Sequence, residues 1–441
     1  MSPDLRSQVV DLCAQLIRFD TTNYGDGKST GEREAADWVA SLLSDVGYAP
    51  TVIEAARSRG STIVRIPGRD RAAPGLLVHG HLDVVPAEAG DWSVDPFSGE
   101  VRDGAVWGRG ALDMKGMDAM MLAVALSWGR DGFVPPRDIV LAFVADEEDN
   151  GDYGARYLVR QHSELLAGVT SAIGESGGYS VHLPDGSRLY PIATAERGTA
   201  RVRLTARGPA GHGSRRNPDN AVAALARSVA RLADHRWPLH LTPTVSTLLD
   251  GLGAHLGQPI DPTDLTPLGD AARLVETTLS NTLNPTMLNA GYKVNVIPSE
   301  ATAWLDGRLL PGAADDFFTT VQRLVTPGVT VEIPTYTAPV STSHESPEFA
   351  AMADAVRAHD PAALVLPFCL GGGTDAKAFA ELGIACYGFA PGRWPVGFAH
   401  DSYFHGVDEH VPIESLAFGV GVLDTYLRSD AQRGSGSRGE G

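Results

Sequence analysis

The apolar positions of this chain fall into short blocks, and their period changes as the chain proceeds. Leu5, Val9, Leu12, Leu16 and Ile17 recur at helical spacing behind Ser2 and Pro3. That predicts an amphipathic first helix with a serine cap and a first-turn proline. Ser29 and Glu32 have the spacing of a capping box ahead of Ala36, Val39, Leu42, Leu43 and Val46, and Gly47 marks the stop. Strand-like runs follow at 51–55, 62–66 and 76–78, then an apolar helix over 117–128, a strand over 138–145, a helix from about Tyr153 and a strand over 170–174. The long apolar strands end alike: 76–78 runs into His79, His81 and Asp83, 138–145 into Asp146, Glu147, Glu148 and Asp149, and 170–174 into Glu175.

From about Ala195 the pattern becomes alternation, with Thr199, Arg201, Arg203 and Thr205 set against Ala200, Val202 and Leu204. A helix over 221–233, a strand over 301–309, a helix over 314–325 and a strand over 329–333 continue it. These pairs predict a small antiparallel sheet backed by two helices, a ferredoxin-like α+β unit inserted into the first domain. The stretch between Trp237 and Asn281 fits neither pattern and is taken as an elaboration of the insert. Helix and strand alternation resumes near Ser341 and ends in a helix over 413–427. The fold class is therefore α/β, with a mixed, largely parallel sheet flanked by helices. Its discontinuous main domain covers 1–195 and 339–430, the insert 196–338, and a polar, glycine-rich tail, 431–441, is expected to be disordered.

At 441 residues the chain has roughly three times the length of a common domain, so a large core is affordable. Its net charge of -18, from 36 basic and 54 acidic residues, argues against nucleic acid or a membrane surface as partner. The three cysteines, Cys13, Cys369 and Cys386, are scattered and lack C-x-x-C spacing, so neither a disulfide framework nor a thiolate metal site is expected. With no signal-like segment at the N-terminus and no apolar run of membrane length, a soluble cytoplasmic protein is expected.

The polar strand ends carry the candidate chemistry. His81 suits a metal ligand, with Asp83 as the carboxylate that holds its imidazole in one orientation. Asp113, after the loop of Gly104, Gly108 and Gly110, is a second candidate ligand. The structural alternative is a core histidine and a helix-capping aspartate. In an α/β sheet, sites lie at the carboxyl ends of the strands, which gathers His81, Asp113, Glu147, Glu148 and Glu175 at one edge. Of the adjacent Glu147 and Glu148, one can bind metal while the other faces substrate and moves a proton. Asp149 and Asp152 are read as ordinary acids near a helix start.

The segments HGHLDVVP, WGRGALDMKG, ADEEDNGDYGA, IGESGG and FHGVDEHVP, in this order, resemble the signatures of the M20 di-zinc metallopeptidase family, which includes aminoacylase, glutamate carboxypeptidase, carnosinase-type dipeptidases and succinyl-diaminopimelate desuccinylase. The resemblance implies two Zn2+ ions, with Co2+ or Mn2+ as substitutes. His81 and Glu175 would bind one ion, Glu148 and His405 the other, and Asp113 would bridge. Glu147 becomes the general base and Asp83 the carboxylate behind His81. Among His400, His405 and His410 the segment HGVDE selects His405, with His400 as rival. The insert becomes a lid that dimerises, so a homodimer is implied. His212, in GHGS, would reach the neighbouring subunit's site and polarise the scissile carbonyl. Asn295 and Arg308 would hold the substrate's carbonyl and terminal carboxylate, and Gly372, Gly373 and Thr374 would form a substrate loop.

The implied activity is hydrolysis of the amide of an N-acyl amino acid or small peptide with a free carboxylate. Dipeptidase, carboxypeptidase and desuccinylase activities are alternatives within the family. The alternative from another class is a non-catalytic peptide-binding clamp, which would be expected to lack a ligand or the base; none of those positions is missing here.

Overall fold

The computed structural model describes residues 3–429; the expected Ser2 cap and the 431–441 tail lie outside them. The larger sheet has a parallel centre in the order Ala385–Gly388, Val169–Gly174, Gly75–His81 and Ile139–Val144. Arg59–Ile66 and Thr51–Ala56 extend it antiparallel on one side. On the other, Arg188–Glu196 joins antiparallel and pairs in turn with Val181–His182, Val340–Ser341 and, in parallel, Leu364–Leu370. The mixed sheet expected is thus found, parallel at its centre and largely antiparallel towards its edges.

Every residue of Gly75–His81 and Ile139–Val144 is buried, as strands covered on both faces require. One cover is the helix Lys115–Asp131, which packs with the helices Pro3–Ile17 and Ile413–Arg428 in the main core. Gly80 permits the close approach of helix and strand, because a Cβ there would fall 2.2 Å from Asp118 Oδ1. The capping box does not form. The helix Arg33–Asp45 has no side-chain cap; Ser29 accepts from the Gly31 N–H, and Glu32 is drawn into a buried ion pair with Arg59 at 2.8 Å.

The smaller sheet runs Thr282–Ala290, Glu300–Leu309, Gly198–Arg207, Val329–Thr337, all antiparallel. With the helices Ala221–Ala233 and Ala314–Leu324 packed on it, its chain order is β-α-β-β-α-β, a ferredoxin-like arrangement. The stretch between Trp237 and Asn281, expected to elaborate this unit, packs elsewhere. It forms the helix Pro243–Leu256 and a following turn, and Val245, Leu248, Leu252 and Val275 meet Leu189 and Phe368 of the larger sheet. An amphipathic helix must cover apolar surface, and the outer strands of the larger sheet supply it. No helix among the described residues is long and apolar enough to cross a membrane. Cys13, Cys369 and Cys386 are free and buried.

A buried cluster ties the returning C-terminal segment to the first half. Glu348 receives both Arg137 guanidinium nitrogens, the Tyr426 hydroxyl at 2.7 Å and the Ser171 hydroxyl at 3.3 Å. Burial pushes the Glu348 carboxyl up, but the bonds from Arg137 outweigh it and hold the group below the usual range. A depressed carboxylate stabilises the fold above its unfolded pKa, and that contribution is lost as pH falls through the folded value. Glu348→Gln leaves Arg137 buried without its counter-charge and is expected to cost roughly 3–5 kcal/mol, measured by urea unfolding at neutral pH.

Candidate metal centre

The strand Gly75–His81 ends by presenting His81, 1% exposed, with Nε2 3.1 Å from Asp113 Oδ1 and 3.8 Å from Glu175 Oε2. His405 Nε2 lies 2.7 Å from Asp113 Oδ2 and 3.3 Å from Glu148 Oε1. These contacts make two triads that share Asp113: His81, Asp113 and Glu175, and Asp113, Glu148 and His405. In each triad the candidate ligand atoms lie within 4.8 Å of one another. The rival His400 is outside both; it stacks on Tyr179 at 4.7 Å and bonds to Asp401 at 3.0 Å. His410 stacks on Trp107. His79 is buried against Phe379, and burial together with the neighbouring His81 lowers its imidazole to about 3.

Local backbone explains how the side chains converge. After Ile139–Val144 the chain turns through Asp146, in the left-handed conformation, into a short 3-10 turn at Glu147–Asp149. Asp83 fastens that turn, its carboxylate accepting the N–H groups of Glu147 and Glu148 at 3.1 Å each. This alters the part foreseen for it. The His81 Nδ1 bonds to the Asp83 backbone carbonyl at 2.9 Å, while the Asp83 carboxylate stands 3.6 Å away.

The loop before Asp113 is held by Glu409, which no sequence signal singled out. Its carboxylate accepts the N–H groups of Gly110, Leu112 and Asp113 at 2.7–3.1 Å and pairs with Arg109 at 2.7 Å. Its place within FHGVDEHVP, four residues after His405, was the only clue available.

The electrostatics call for a cation. Burial raises the carboxyls of Glu147, Glu148, Glu175 and Asp375, and Glu147 is raised further by the negative charge of Glu175. Asp113 goes the other way: the bonds from His405 and His81 outweigh its burial and hold it well below the usual range. Burial opposes the charged form of His81, yet its bonds to Asp113 and Glu175 raise it well above normal. His405, bonded to Asp113 and then Glu148, rises to about 10. In this cluster Asp375 Oδ2 is buried without a hydrogen-bond partner among the described residues, and Glu148 Oε1 has only His405 beside it, at 3.3 Å. Imidazole and carboxylate donors with surplus buried negative charge fit a divalent ion such as zinc, cobalt or manganese.

A polar pocket of about 380 Å³ opens from the cluster. The larger sheet contributes Glu147, Glu148 and Glu175, and the smaller sheet contributes Thr199 and Arg308. Arg308 bonds to Asp306 through Nε at 2.8 Å and Nη2 at 3.2 Å, so Asp306 fixes its fork. Gly372, Gly373 and Thr374 also line the pocket, and Thr374 is anchored by Glu196 through its N–H and hydroxyl. Gly373 packs against Lys377, and a Cβ there, 2.1 Å from Nζ, would make that flexible side chain shift. Lys377 and Arg156, which the sequence reading passed over, add positive charge to this wall. His212 and Asn295 do not line the pocket. Both are exposed on the smaller unit, where Gly211–His212 pairs with Val296–Ile297.

Comparisons with known proteins agree in kind. The chain is 28% identical over 382 residues to a Dictyostelium discoideum protein named probable carboxypeptidase S-like 2, covering 80% of this chain and 71% of that one. It is 28% identical over 425 residues to human N-fatty-acyl-amino acid synthase/hydrolase PM20D1, covering 90% and 83%. In fold it is similar to the M20 family metallo-carboxypeptidase Sso-CP2 from Sulfolobus solfataricus, with a TM-score of 0.68, 18% identity and coverage of 97% and 99%. Residues 77–429 match the description "Peptidase family M20/M25/M40". The chain therefore belongs to peptidase family M20/M25/M40, a family of metal-dependent hydrolases.

Proposed function

We propose that this hydrolase cleaves the amide bond of N-acyl amino acids, or of small peptides with a free carboxylate, using two zinc ions. The observation that carries the reading is the pair of triads sharing Asp113 at the floor of a pocket with a cationic wall. His81 and Glu175 would hold one ion, Glu148 and His405 the other, with Asp113 between them. Bound there, the metal supplies Lewis-acid activation of water and of the amide carbonyl.

The protein's own groups do the rest. Glu147 is raised by burial and by Glu175, so its carboxyl is poised to take a proton from the attacking water and hand it to the leaving nitrogen. Arg308, pre-set by Asp306, receives the substrate carboxylate on the far wall, with Lys377 and Arg156 adding charge. The Gly372–Gly373–Thr374 loop borders the substrate. His212 and Asn295, exposed and outside their own chain's pocket, act on the substrate carbonyl of the partner in a homodimer formed through the smaller unit. The three buried free cysteines accord with a cytoplasmic setting.

The test is amine release from N-acetyl and longer N-acyl amino acids, N-succinyl amino acids and dipeptides, with metal-stripped and zinc-restored protein. Zinc-dependent release from acyl amino acids is expected. Release mainly from dipeptides would move the assignment to dipeptidase or carboxypeptidase, and no release at all would leave the binding clamp. In the same assay Arg308→Ala should raise KM roughly 10- to 100-fold with a smaller change in kcat, as loss of a charge-assisted carboxylate contact demands.

A further inference from the structure

Two cavities meet at the metal-ligand cluster. Adjoining the polar pocket is a second one, of about 260 Å³, and the two share Asp113, Glu175, Ser176, Leu370 and Phe404 at their junction. Its walls differ in kind: Met114, Met117, Met120, Trp394, Phe404 and Leu416 supply thioether, aromatic and aliphatic surface. Among the described residues no lysine or arginine lines it. The charged group in its wall away from the junction, Asp401, is already engaged, with His400 at 3.0 Å and with Arg273 at 2.9 Å.

We propose that this cavity is the acyl-chain pocket, and that it makes the enzyme selective for N-acyl amino acids whose acyl group is a hydrocarbon chain longer than acetyl. The inference rests on the amidohydrolase reading given above. A scissile carbonyl must lie at the shared residues, beside the metal ligands. The amino-acid carboxylate belongs on the cationic side, where Arg308 and Lys377 stand. The substituent on the other side of the carbonyl is the acyl group, and the space left for it is the apolar cavity.

Size and chemistry agree with that occupant. An apolar cavity of about 150 Å³ takes a benzene ring, so one of 260 Å³ takes a larger hydrocarbon group. Met114, Met117 and Met120 are spaced three apart at the start of Lys115–Asp131, and flexible thioethers re-pack around chains of different length. The uncharged donors left without partners on lining residues are the Trp394 indole N–H and the Ser415 hydroxyl. A succinyl carboxylate would therefore be buried here without a counter-charge, which disfavours desuccinylase chemistry.

The experiment is kcat/KM for N-acetyl, N-succinyl, N-hexanoyl and N-decanoyl derivatives of one amino acid, with zinc-loaded wild type and Met120→Trp. Wild-type values should rise roughly fourfold per buried methylene until the cavity is full, with N-succinyl far below N-hexanoyl. Met120→Trp, which fills the cavity, should cut the decanoyl-to-acetyl ratio at least about tenfold. A flat or falling wild-type series, or a preference for N-succinyl, overturns the pocket assignment while leaving the amidohydrolase reading intact. An unchanged ratio in the variant overturns it as well. Should Met120→Trp fail to fold, Leu416→Phe serves in its place. If no acyl amino acid is cleaved, the acyl-amino-acid reading fails, and calorimetric titration with decanoate judges the cavity alone: saturable binding weakened by Met120→Trp supports it, and no binding overturns it.

Discussion

Replacing Glu147 by Gln is expected to lower kcat roughly 10^2- to 10^4-fold, the range for loss of a positioned general base, while metal content stays at the wild-type level. The two halves of that outcome belong together. Glu147 lies beside the triads and belongs to neither, so its amide leaves every candidate ligand in place. Its N–H bond to Asp83 is a backbone contact, so the 3-10 turn also survives the change. Metal analysis alongside turnover separates the readings: full activity sinks the base assignment, and lost metal would make Glu147 a ligand instead.

Asp113→Ala is expected to have the larger structural effect, because it removes the residue common to both triads. Binding of both metals should weaken together, with activity lost to background. The zinc-dependent rise in thermal midpoint should disappear too, since a ligand present at 1,000 times its Kd stabilises the native state by about 4 kcal/mol. Replacing an end ligand such as His405 should spare part of the metal content. Affinity in the wild type must also depend on pH. Hydrogen bonding to Asp113 and then Glu148 lifts His405 to about 10, so below that pH a metal ion has to displace its proton. Each unit of acidification then costs about tenfold in affinity for every proton displaced, measured by competition with a chelator of known pH dependence. Equal loss of zinc in Asp113→Ala and His405→Ala would contradict a shared ligand.

How much of this was legible in the sequence follows from where ionisable groups can sit. A wholly buried strand tolerates a histidine or carboxylate chiefly where the strand stops, and that rule located His81, Glu147, Glu148 and Glu175 on one edge. The alternating strands of the smaller sheet were readable because each has one covered face, as in Glu300–Leu309, where buried and partly exposed residues alternate. The destination of an amphipathic helix is another matter. The apolar face of Pro243–Leu256 predicts that something covers it, and says nothing of which sheet does. The Glu32 spacing promised a capping box, yet Arg59 on a neighbouring strand competes for the same carboxylate and wins. Lys377 and the apolar cavity escaped for a related reason: a pocket wall is assembled from segments hundreds of residues apart, and no local pattern records their meeting.

The grip of Glu409 on the loop of Asp113 bears on how the protein is made. Asp113 is synthesised early, yet its backbone N–H is secured by Glu409, 296 residues later, and its outer oxygen meets His405, 292 residues later. A chain still attached to the ribosome with those residues inside the exit tunnel already holds His81, Asp113 and Glu175, but not the residues that close the second triad. The second triad is thereby completed only when that later segment docks on the loop of Asp113.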